Sequence, residues 1–256
     1  MPNVIACCKW VVDEAYIRKG AGGALDFSAV DYKLSEYDRN ALEEAVRCRG
    51  EAGGKVTALT AGAPEAAKGV KDALSRGADT AVFVGDPAFA DLDSSQTAAV
   101  LGEVIRSRIP YDLIICGEGS GDRYAQQVGP RLAEHLGIPC VSYVLKLSLT
   151  GEGAGITAER RVEEGVEVVE VPFPVLVTVL PEINTPRIPG VKDTLMAGKK
   201  PVVTVKKDEL PPLGEVKLKT LDMTAARMER NCELFGTTPE DIARFVAALQ
   251  QKGVIG

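Results

Sequence analysis

Residues 111–136, YDLIICGEGSGDRYAQQVGPRLAEHL, join an apolar run to a helix-forming segment through a glycine-rich loop. The run at 111–117 is apolar almost throughout, which is typical of a strand buried on both faces of a sheet. The loop contains Gly117, Gly119 and Gly121 but lacks the lysine of the P-loop pattern. A helix is predicted from about Gln126 to Leu136. Strand, loop and helix in this order predict one unit of a parallel α/β sheet.

The same alternation runs through the first half of the chain. Apolar runs predict strands at 4–8, 56–62 and 80–86, and intervening segments predict helices at 38–50, 64–77 and 93–108. The helix at 38–50 has Asp38 as a candidate N-cap and Gly50 as a candidate end. Strands that alternate with helices predict a doubly wound parallel sheet with helices on both faces.

The pattern changes after residue 142. Segments 143–150, 155–165 and 166–172 predict a β-meander with turns at 151–155 and 163–165, followed by a strand at 175–184. Three prolines and two glycines predict that 185–202 runs over the surface. Residues 203–236 have the character of an extended arm, and 237–253 predict a helix with Thr238 as N-cap. We therefore expect a nucleotide-binding α/β domain at 1–202 and, at 203–256, an arm and helix that contact another chain.

Composition excludes several classes of function. The 256 residues carry a net charge of −6 and a pI near 5.1, which argues against nucleic-acid binding. No apolar run approaches the roughly 18 residues of a membrane span, and MPNVIACCKW does not resemble a signal peptide, so a cytoplasmic location is expected. None of the six cysteines lies in a C-x-x-C spacing, and no metal site is expected. With His135 as the single histidine, zinc-hydrolase and Ser-His-Asp chemistry are disfavoured.

The glycine-rich loop is a candidate phosphate site. Ligands of parallel sheets collect beyond the carboxyl ends of the strands, here at 7–9, 61–62, 84–86 and 117–121. Glycines at 117–121 are expected to adopt positive φ and to turn backbone N–H groups toward an anion. The following helix adds free N–H groups, and Arg123, Gln126 and Gln127 are further candidate donors. The alternative is a β–α turn that holds no ligand.

Several segments together resemble the β-subunits of electron-transfer flavoproteins. In chain order they are VIACCKWVVDE (4–14), DRNALEEAV (38–46), LSRGADTAVFV (74–84), DLIICGEGSGDRYAQQVGPRLAEHLGIP (112–139), the meander, and INTPRIPGVKDTLMAGKKPV (183–202). The most specific pieces are the loop core with Asp122, Gln126, Gln127 and Gly129, and the N-x-P-R stretch from Asn184. The loop GEGSGDRYAQQVG is similar to that of the subgroup linked to nitrogen fixation and carnitine metabolism.

The resemblance implies a heterodimer with an α-subunit, with a redox FAD held between the two chains. It also implies that this chain binds a structural AMP in the site argued above, with the phosphate against the amides of 121–128. The implied cofactor-binding residues are Cys7, Ser35, Glu36, Tyr37, Asp38, Ala61, Gly117, Gly119, Ser120, Gly121, Asp122, Arg123, Tyr124, Ala125, Gln126, Gln127 and Val128. In family members that bifurcate electrons, a second FAD replaces the AMP, so this FAD is the alternative ligand.

The resemblance further implies that residues 184–200 dock on a flavin dehydrogenase, of the acyl-CoA dehydrogenase kind or another. Val191 occupies the position of the family's apolar anchor, and an exposed apolar residue on a proline-rich segment suits such a contact. The implied docking residues are Asn184, Pro186, Arg187, Val191, Lys199 and Lys200. By base rate, the two lysines are more often solvated charges than partner contacts.

Three functional hypotheses follow. The leading one is an electron carrier without a substrate of its own, because flavin chemistry needs orientation from the protein and few acid–base pairs. The alternative is a bifurcating subunit that binds its own FAD and oxidises NADH. At 35–38 the bifurcating pattern N-P-x-D is replaced by Ser35, Glu36, Tyr37 and Asp38, so AMP is favoured over FAD. The third hypothesis is a stand-alone nucleotide-binding regulator or nucleotide-activating hydrolase.

Overall fold

The computed structural model describes residues 1–151, 154–212, 214–215, 218–226 and 232–255. Residues 152–153 of the predicted turn at 151–155 lie outside the described residues, and so do several positions of the predicted arm.

The described residues form thirteen strands and six α-helices. The strands are β1 (Asn3–Cys7), β2 (Trp10–Val12), β3 (Arg18–Lys19), β4 (Leu25–Asp26), β5 (Tyr32–Leu34), β6 (Lys55–Gly62), β7 (Thr80–Gly85), β8 (Leu113–Gly117), β9 (Cys140–Leu149), β10 (Gly155–Val162), β11 (Gly165–Pro172), β12 (Val175–Val179) and β13 (Val202–Val205). The helices are α1 (Glu36–Ala52), α2 (Ala67–Ser75), α3 (Ser94–Arg108), α4 (Val128–Leu136), α5 (Val191–Ala197) and α6 (Pro239–Gln251).

A nine-stranded sheet has the order β11-β10-β9-β12-β8-β1-β6-β7-β13. The pairs from β9 through β12, β8, β1, β6 and β7 to β13 are parallel, and β9, β10 and β11 are antiparallel. This confirms the predicted parallel sheet and its β-meander extension. From β1 the chain adds β6 and β7 on one side and then returns to place β8 on the other. Strand order therefore reverses at β1, which is where such sheets bind ligands.

Apolar side chains of the central strands alternate between two cores. In β1, Val4 and Ala6 join one cluster with α1 and α2, whereas Ile5 and Cys7 join the other with α3 and α4. Because each face of the sheet is covered by helices, the central strands carry apolar side chains on both faces, with a few threonines among them. Cys7 and Cys8 belong to different clusters, as the predicted strand geometry requires. The doubly wound architecture is thus confirmed.

The boundaries of helices α1 and α4 differ from the prediction. Helix α1 begins at Glu36 with Ser35 as its N-cap and ends before Gly53, so Asp38 is not the cap but lies in the first turn. The predicted end at Gly50 was also wrong, because the chain leaves the helix only at Gly53, which has a φ of 72°. Helix α4 begins at Val128, two residues later than predicted. The extra loop residues are those that border the candidate site.

The segment 185–202 is more regular than predicted. It contains the short helix α5, whose N-terminal Gly190 N–H donates to the Asp193 carboxylate at 2.9 Å. Directly after it, β13 pairs with β7 and adds the edge strand of the sheet. In β13 only Val205 is fully buried, so the strand lacks the continuous burial on both faces that is typical of the central strands.

The chain divides into two compact units. The first contains Met1–Arg18 and Asp26–Asp222, and the second contains Lys19–Leu25 and Met223–Gly256. In the second unit, Thr238 caps α6 by accepting a hydrogen bond from Asp241 N at 3.2 Å, as predicted. The division at residue 202 and the role of 203–256 in contacting a partner stay predictions, although the first unit extends to Asp222.

Candidate nucleotide site and docking segment

A cavity of about 490 Å³ lies at the carboxyl ends of β1, β6 and β8, where strand order reverses. Cys7, Ala61 and Gly117, which end these three strands, all line it. Leu59 and Leu101 give it apolar walls, while residues 117–129 supply polar groups. A cavity of this size with an apolar body and a few convergent polar groups suits a small-molecule ligand.

Most of the predicted cofactor residues meet in this cavity. They lie at the carboxyl ends of the three strands, in the loop after β8 and in the first turns of α1 and α4, and they are Cys7, Asp38, Ala61, Gly117, Gly119, Ser120, Asp122, Arg123, Ala125, Gln126, Gln127 and Val128.

The remaining predicted cofactor residues lie around the cavity without lining it. Ser35 is fully buried beneath the loop, and its hydroxyl accepts a hydrogen bond from Gly121 N at 3.4 Å. Glu36 is ion-paired with Lys33 at 2.8 Å. Tyr37 and Tyr124 line a separate cavity. Their assignment to nucleotide binding therefore stays a prediction, with an indirect role for Ser35 as support of the loop.

The loop reaches its shape through residues other than its glycines. Tyr124 and Gln126 have φ values of 42° and 55°, whereas Gly117, Gly119 and Gly121 do not have positive φ. The expectation that these glycines adopt a left-handed backbone was therefore wrong. Gly117 is required for close packing instead, since a Cβ there would lie 2.7 Å from Tyr37 Cβ and 2.8 Å from an Asp38 carboxylate oxygen.

Asp38 joins two of the loops that surround the cavity. Its buried carboxylate accepts hydrogen bonds from the backbone N–H groups of Lys9, at 2.8 Å, and of Gly117. Burial raises the pKa of Asp38 to about 7, against the lowering effect of these two donors. The side chain therefore ties the end of β1 and the end of β8 to the first turn of α1.

Asp122 organises the polar side of the cavity. Its carboxylate accepts hydrogen bonds from Lys9 Nζ at 2.7 and 2.9 Å, from Ser120 Oγ at 2.6 Å and from Arg123 N at 2.9 Å. Burial alone would raise the pKa of Asp122, but Lys9 and these hydrogen bonds lower it overall. The Arg123 guanidinium is ion-paired with Asp91. The cationic side chains of Lys9 and Arg123 thus line the cavity, and each is ion-paired with a carboxylate.

Sequence reasoning missed several residues of the cavity wall. Lys9 and Trp10 follow β1, and Phe89 lies in the turn after β7, at strand ends that the sequence had marked as candidates. Tyr32 comes from β5, a short strand that was not predicted. Their position directly beyond buried strands was the feature of the sequence that could have identified them as cavity residues.

The polar groups of the cavity could bind the phosphate of a nucleoside monophosphate. Helix α4 begins at the cavity wall with Val128 and Gly129, and its N-terminal N–H groups and dipole favour an anion. Gln126 and Gln127 precede the helix and add amide donors. Leu59, Phe89 and Leu101 provide an apolar surface of the kind a base occupies.

The docking segment is fastened to the body by three of its predicted contact residues. The Asn184 amide donates to Asn40 O at 3.0 Å and to Glu44 at 2.9 Å. Arg187 forms a bidentate ion pair with the Glu43 carboxylate, at 2.7 and 2.9 Å. Lys200 Nζ donates to the Leu74 and Ala78 carbonyls at 2.8 and 2.6 Å, and burial lowers its pKa. All three side chains bind groups of the protein body, so they hold the segment in position, although the Arg187 side chain remains 44% exposed.

Apolar side chains form the outer surface of the same segment. Ile188, Val191 and Leu195 are exposed by 91%, 80% and 70% of their surface, and Met196 by 46%. Lys199 is exposed beside them, whereas Pro186 is half-buried. Large apolar side chains this exposed and this close together are typical of a contact surface.

The chain matches the family model described as the electron transfer flavoprotein domain over residues 23–210. It belongs to the electron transfer flavoprotein family. The matched residues include the glycine-rich loop, the meander and the docking segment, whereas the cavity residues at 7–12 precede the match. The family is one of electron transport, and its fold is the doubly wound sheet described above.

Across the described residues, no helix combines the length and the apolar character that crossing a membrane requires.

Proposed function

We propose that this chain is the β-subunit of a heterodimeric electron-transfer flavoprotein of the nitrogen-fixation and carnitine-type subgroup. It passes electrons between a flavin dehydrogenase and a downstream redox acceptor through an FAD held with the α-subunit. The observation that carries the proposal is the nucleotide-sized cavity at the reversal of strand order in a chain of this family.

The cavity holds AMP as a structural ligand in this proposal. The N-terminus of α4, together with Gln126 and Gln127, binds the phosphate, and Leu59 and Phe89 pack against the base. Lys9 and Arg123 screen the phosphate charge from the mouth of the cavity. Asp38 keeps the loops after β1 and β8 in register, so the bound nucleotide and the fold stabilise each other.

The FAD, when bound, supplies reversible electron transfer, and this chain provides binding and orientation. The described residues of the cavity contain no histidine, and its two aspartates are committed to structural hydrogen bonds. This division suits an electron carrier, whose redox chemistry belongs to the flavin.

Docking on the dehydrogenase uses the apolar surface of the segment 184–200. Ile188, Val191 and Leu195 make the contact, while Asn184, Arg187 and Lys200 fix the segment on α1 and α2. A preformed contact surface loses less conformational entropy on binding than a mobile loop. This arrangement suits a transient complex, which must form and dissociate for each electron transfer.

The α-subunit contact is assigned to residues 223–255. Helix α6 has Ile242, Phe245 and Val246 along one side, with 54%, 44% and 39% of their surface exposed. An amphipathic helix with an exposed apolar side is a common partner-binding element.

Co-purification with the α-subunit, followed by heat release and mass identification of the nucleotides, tests the proposal. We expect one FAD and one AMP per heterodimer. Two FAD and no AMP would favour the bifurcating subunit, because the pyrophosphate of a second flavin would then occupy the cavity. A chain that stays monomeric beside its α-subunit and turns over ATP would contradict both.

A further inference from the structure

A second cavity, of about 480 Å³, adjoins the glycine-rich loop. Glu118 lines both this cavity and the nucleotide cavity, but the other walls are different. The walls combine three aromatic side chains, two apolar ones and an ion pair, namely Tyr37, Tyr124, Tyr143, Leu180, Pro181, Arg161 and Glu182. All of these residues belong to the first unit of the chain.

Two of the three tyrosines have a left-handed backbone. Tyr124 has a φ of 42° and Tyr143 a φ of 62°, values that bulky side chains rarely adopt. Such a conformation is strained, and residues that adopt it occur often at ligand-binding sites. The surrounding structure holds both residues in place: Tyr124 N donates to Ser120 O at 2.9 Å, and Tyr143 N donates to Thr178 Oγ1 at 3.2 Å. Both strained residues contribute a ring to the same cavity.

Glu118 places a buried carboxylate in the wall of this cavity. Its exposed fraction is 8%, and the Tyr124 hydroxyl donates to it at 2.6 Å. Within the described residues, no lysine or arginine is ion-paired with it, since Arg161 is paired with Glu182 at 2.9 Å. A buried carboxylate without a cationic partner is costly, so the cavity has an uncompensated negative charge.

The tyrosines and the carboxylate favour the same type of ligand. The faces of aromatic rings attract cations, and quaternary ammonium groups are bound by such rings in proteins. Tyr37 and Tyr124 lie with ring centroids 5.2 Å apart and planes inclined by 43°, so they form a continuous aromatic wall beside Glu118. The hydrogen bond to Glu118 raises the pKa of Tyr124 to about 12, with burial adding to the effect. The hydroxyl therefore remains a hydrogen-bond donor to Glu118 at neutral pH.

We propose that this cavity binds the substituted ammonium group of a small organic cation, with the three tyrosines around the group and Glu118 as its counter-charge. This site shares Glu118 with the nucleotide cavity and takes Tyr37 and Tyr124 from the residues predicted to bind the nucleotide, so its test includes a competition with AMP. A neutral flat ring would also pack against the tyrosines but would leave the carboxylate uncompensated.

Choline and its uncharged carbon isostere, 3,3-dimethylbutan-1-ol, provide a matched pair of probes. Both are titrated into the full chain by calorimetry at constant ionic strength, with and without excess AMP. We expect choline to bind at least about tenfold more tightly than the alcohol, because only choline carries the positive charge that the tyrosine rings and the Glu118 carboxylate attract. Binding that is unchanged by AMP would place choline outside the nucleotide cavity.

Two variants and one control locate the site. Glu118→Gln keeps the shape and removes the charge, and Tyr143→Gly removes a ring at a position whose positive φ suits glycine. Each is expected to weaken choline binding about tenfold, whereas Glu134→Gln, on exposed helix surface, should leave it unchanged. Thermal unfolding confirms that each variant is folded. Equal affinity for choline and the alcohol, wild-type affinity in Glu118→Gln, or no choline binding at millimolar concentrations would each overturn the proposal.

Discussion

Asn40 and Asn184 exchange hydrogen bonds, each side-chain amide donating to the backbone carbonyl oxygen of the other residue, at 2.8 and 3.0 Å. Asn40 is buried in α1, the helix whose first turn holds Asp38 at the nucleotide cavity. The same helix therefore borders the candidate nucleotide site at its start and holds the docking segment further along.

Replacement of Asn184 by alanine should destabilise the protein. The change removes the hydrogen bonds to Asn40 O and to the buried Glu44 carboxylate, which keeps Arg47 as its remaining partner. We therefore expect the free energy of unfolding to fall by about 1–3 kcal/mol. Urea unfolding measures the loss. The neighbouring Thr185 is exposed, so Thr185→Ala should change the stability by less than about 0.5 kcal/mol. Equal stability of the two variants would show that the exchanged amides do not fasten the segment.

Lys200 and Lys199 should have separate roles despite being adjacent. Lys200→Met removes the donor to the Leu74 and Ala78 carbonyls, and we expect a loss of about 1–3 kcal/mol in urea unfolding. Lys199 is exposed, so Lys199→Met should leave the stability within about 0.5 kcal/mol. If Lys199 contacts the dehydrogenase, its replacement slows electron transfer without affecting folding. A stable Lys200→Met protein would contradict the structural role assigned to this lysine.

Asp38 should make folding stability depend on pH. Its folded pKa of about 7 lies above the unfolded value of about 3.8, so the folded state holds this proton more tightly than the unfolded state. The stability contributed by the proton is complete below about pH 4 and is lost as pH rises to 7. The loss is at most about 4 kcal/mol.

Urea unfolding at several pH values between 4 and 8 tests this dependence. In Asp38→Asn the decrease in the free energy of unfolding between pH 4 and 7 should disappear. The variant is less stable than the wild type at low pH, because its amide NH₂ faces one of the two N–H donors. The same pH slope in the variant and the wild type would assign the dependence to other groups.

The general architecture was predictable because burial on both faces leaves a clear mark in the sequence. Leu113, Ile114 and Ile115 are fully buried, and three such residues in succession are compatible with a strand covered by helices on both sides. Strand β13 was missed because Val202 and Val203 are exposed and the strand forms only at the edge of the sheet. Its pairing with β7 is a tertiary contact that no local pattern records.

The position of the candidate site was predictable, but its internal contacts were not. The carboxyl ends of β1, β6 and β8 follow from the order of the elements, and the cavity lies there. In contrast, the left-handed residues are Tyr124 and Gln126, which local preferences would not select over the nearby glycines. Lys200 and Asn184 also resemble surface residues in the sequence, because their partners lie far away along the chain.

The apolar side of α6 should be required for the heterodimer. Ile242→Glu places a charge on the exposed apolar side of the helix, and we expect the affinity for the α-subunit to fall by at least about tenfold. Gln251 lies about half a turn away from this side, so Gln251→Glu should bind the α-subunit normally. Both affinities are measured by analytical ultracentrifugation of the mixed subunits. Normal binding by Ile242→Glu would place the α-subunit contact elsewhere.

Substitution should lower the thermal stability of the protein at Gly117 but not at Gly121. A Cβ at Gly117 would lie 2.7–2.8 Å from atoms of Tyr37 and Asp38, so Gly117→Ala must displace the start of α1 and should lower the thermal stability. A Cβ at Gly121 meets only Val11, at 3.9 Å, and φ there is not positive. Gly121→Val is therefore expected to fold normally.

The two glycine variants then test the placement of the phosphate. Gly121 lies in the loop that precedes α4, and a valine there extends a branched side chain toward the expected path of the phosphate. We expect AMP to bind at least about tenfold more weakly to Gly121→Val than to the wild type, with an unchanged thermal midpoint in the absence of nucleotide. Equilibrium dialysis with labelled AMP measures the affinity. Wild-type AMP affinity in a folded Gly121→Val protein would place the phosphate away from residues 121–128, even if AMP itself is bound.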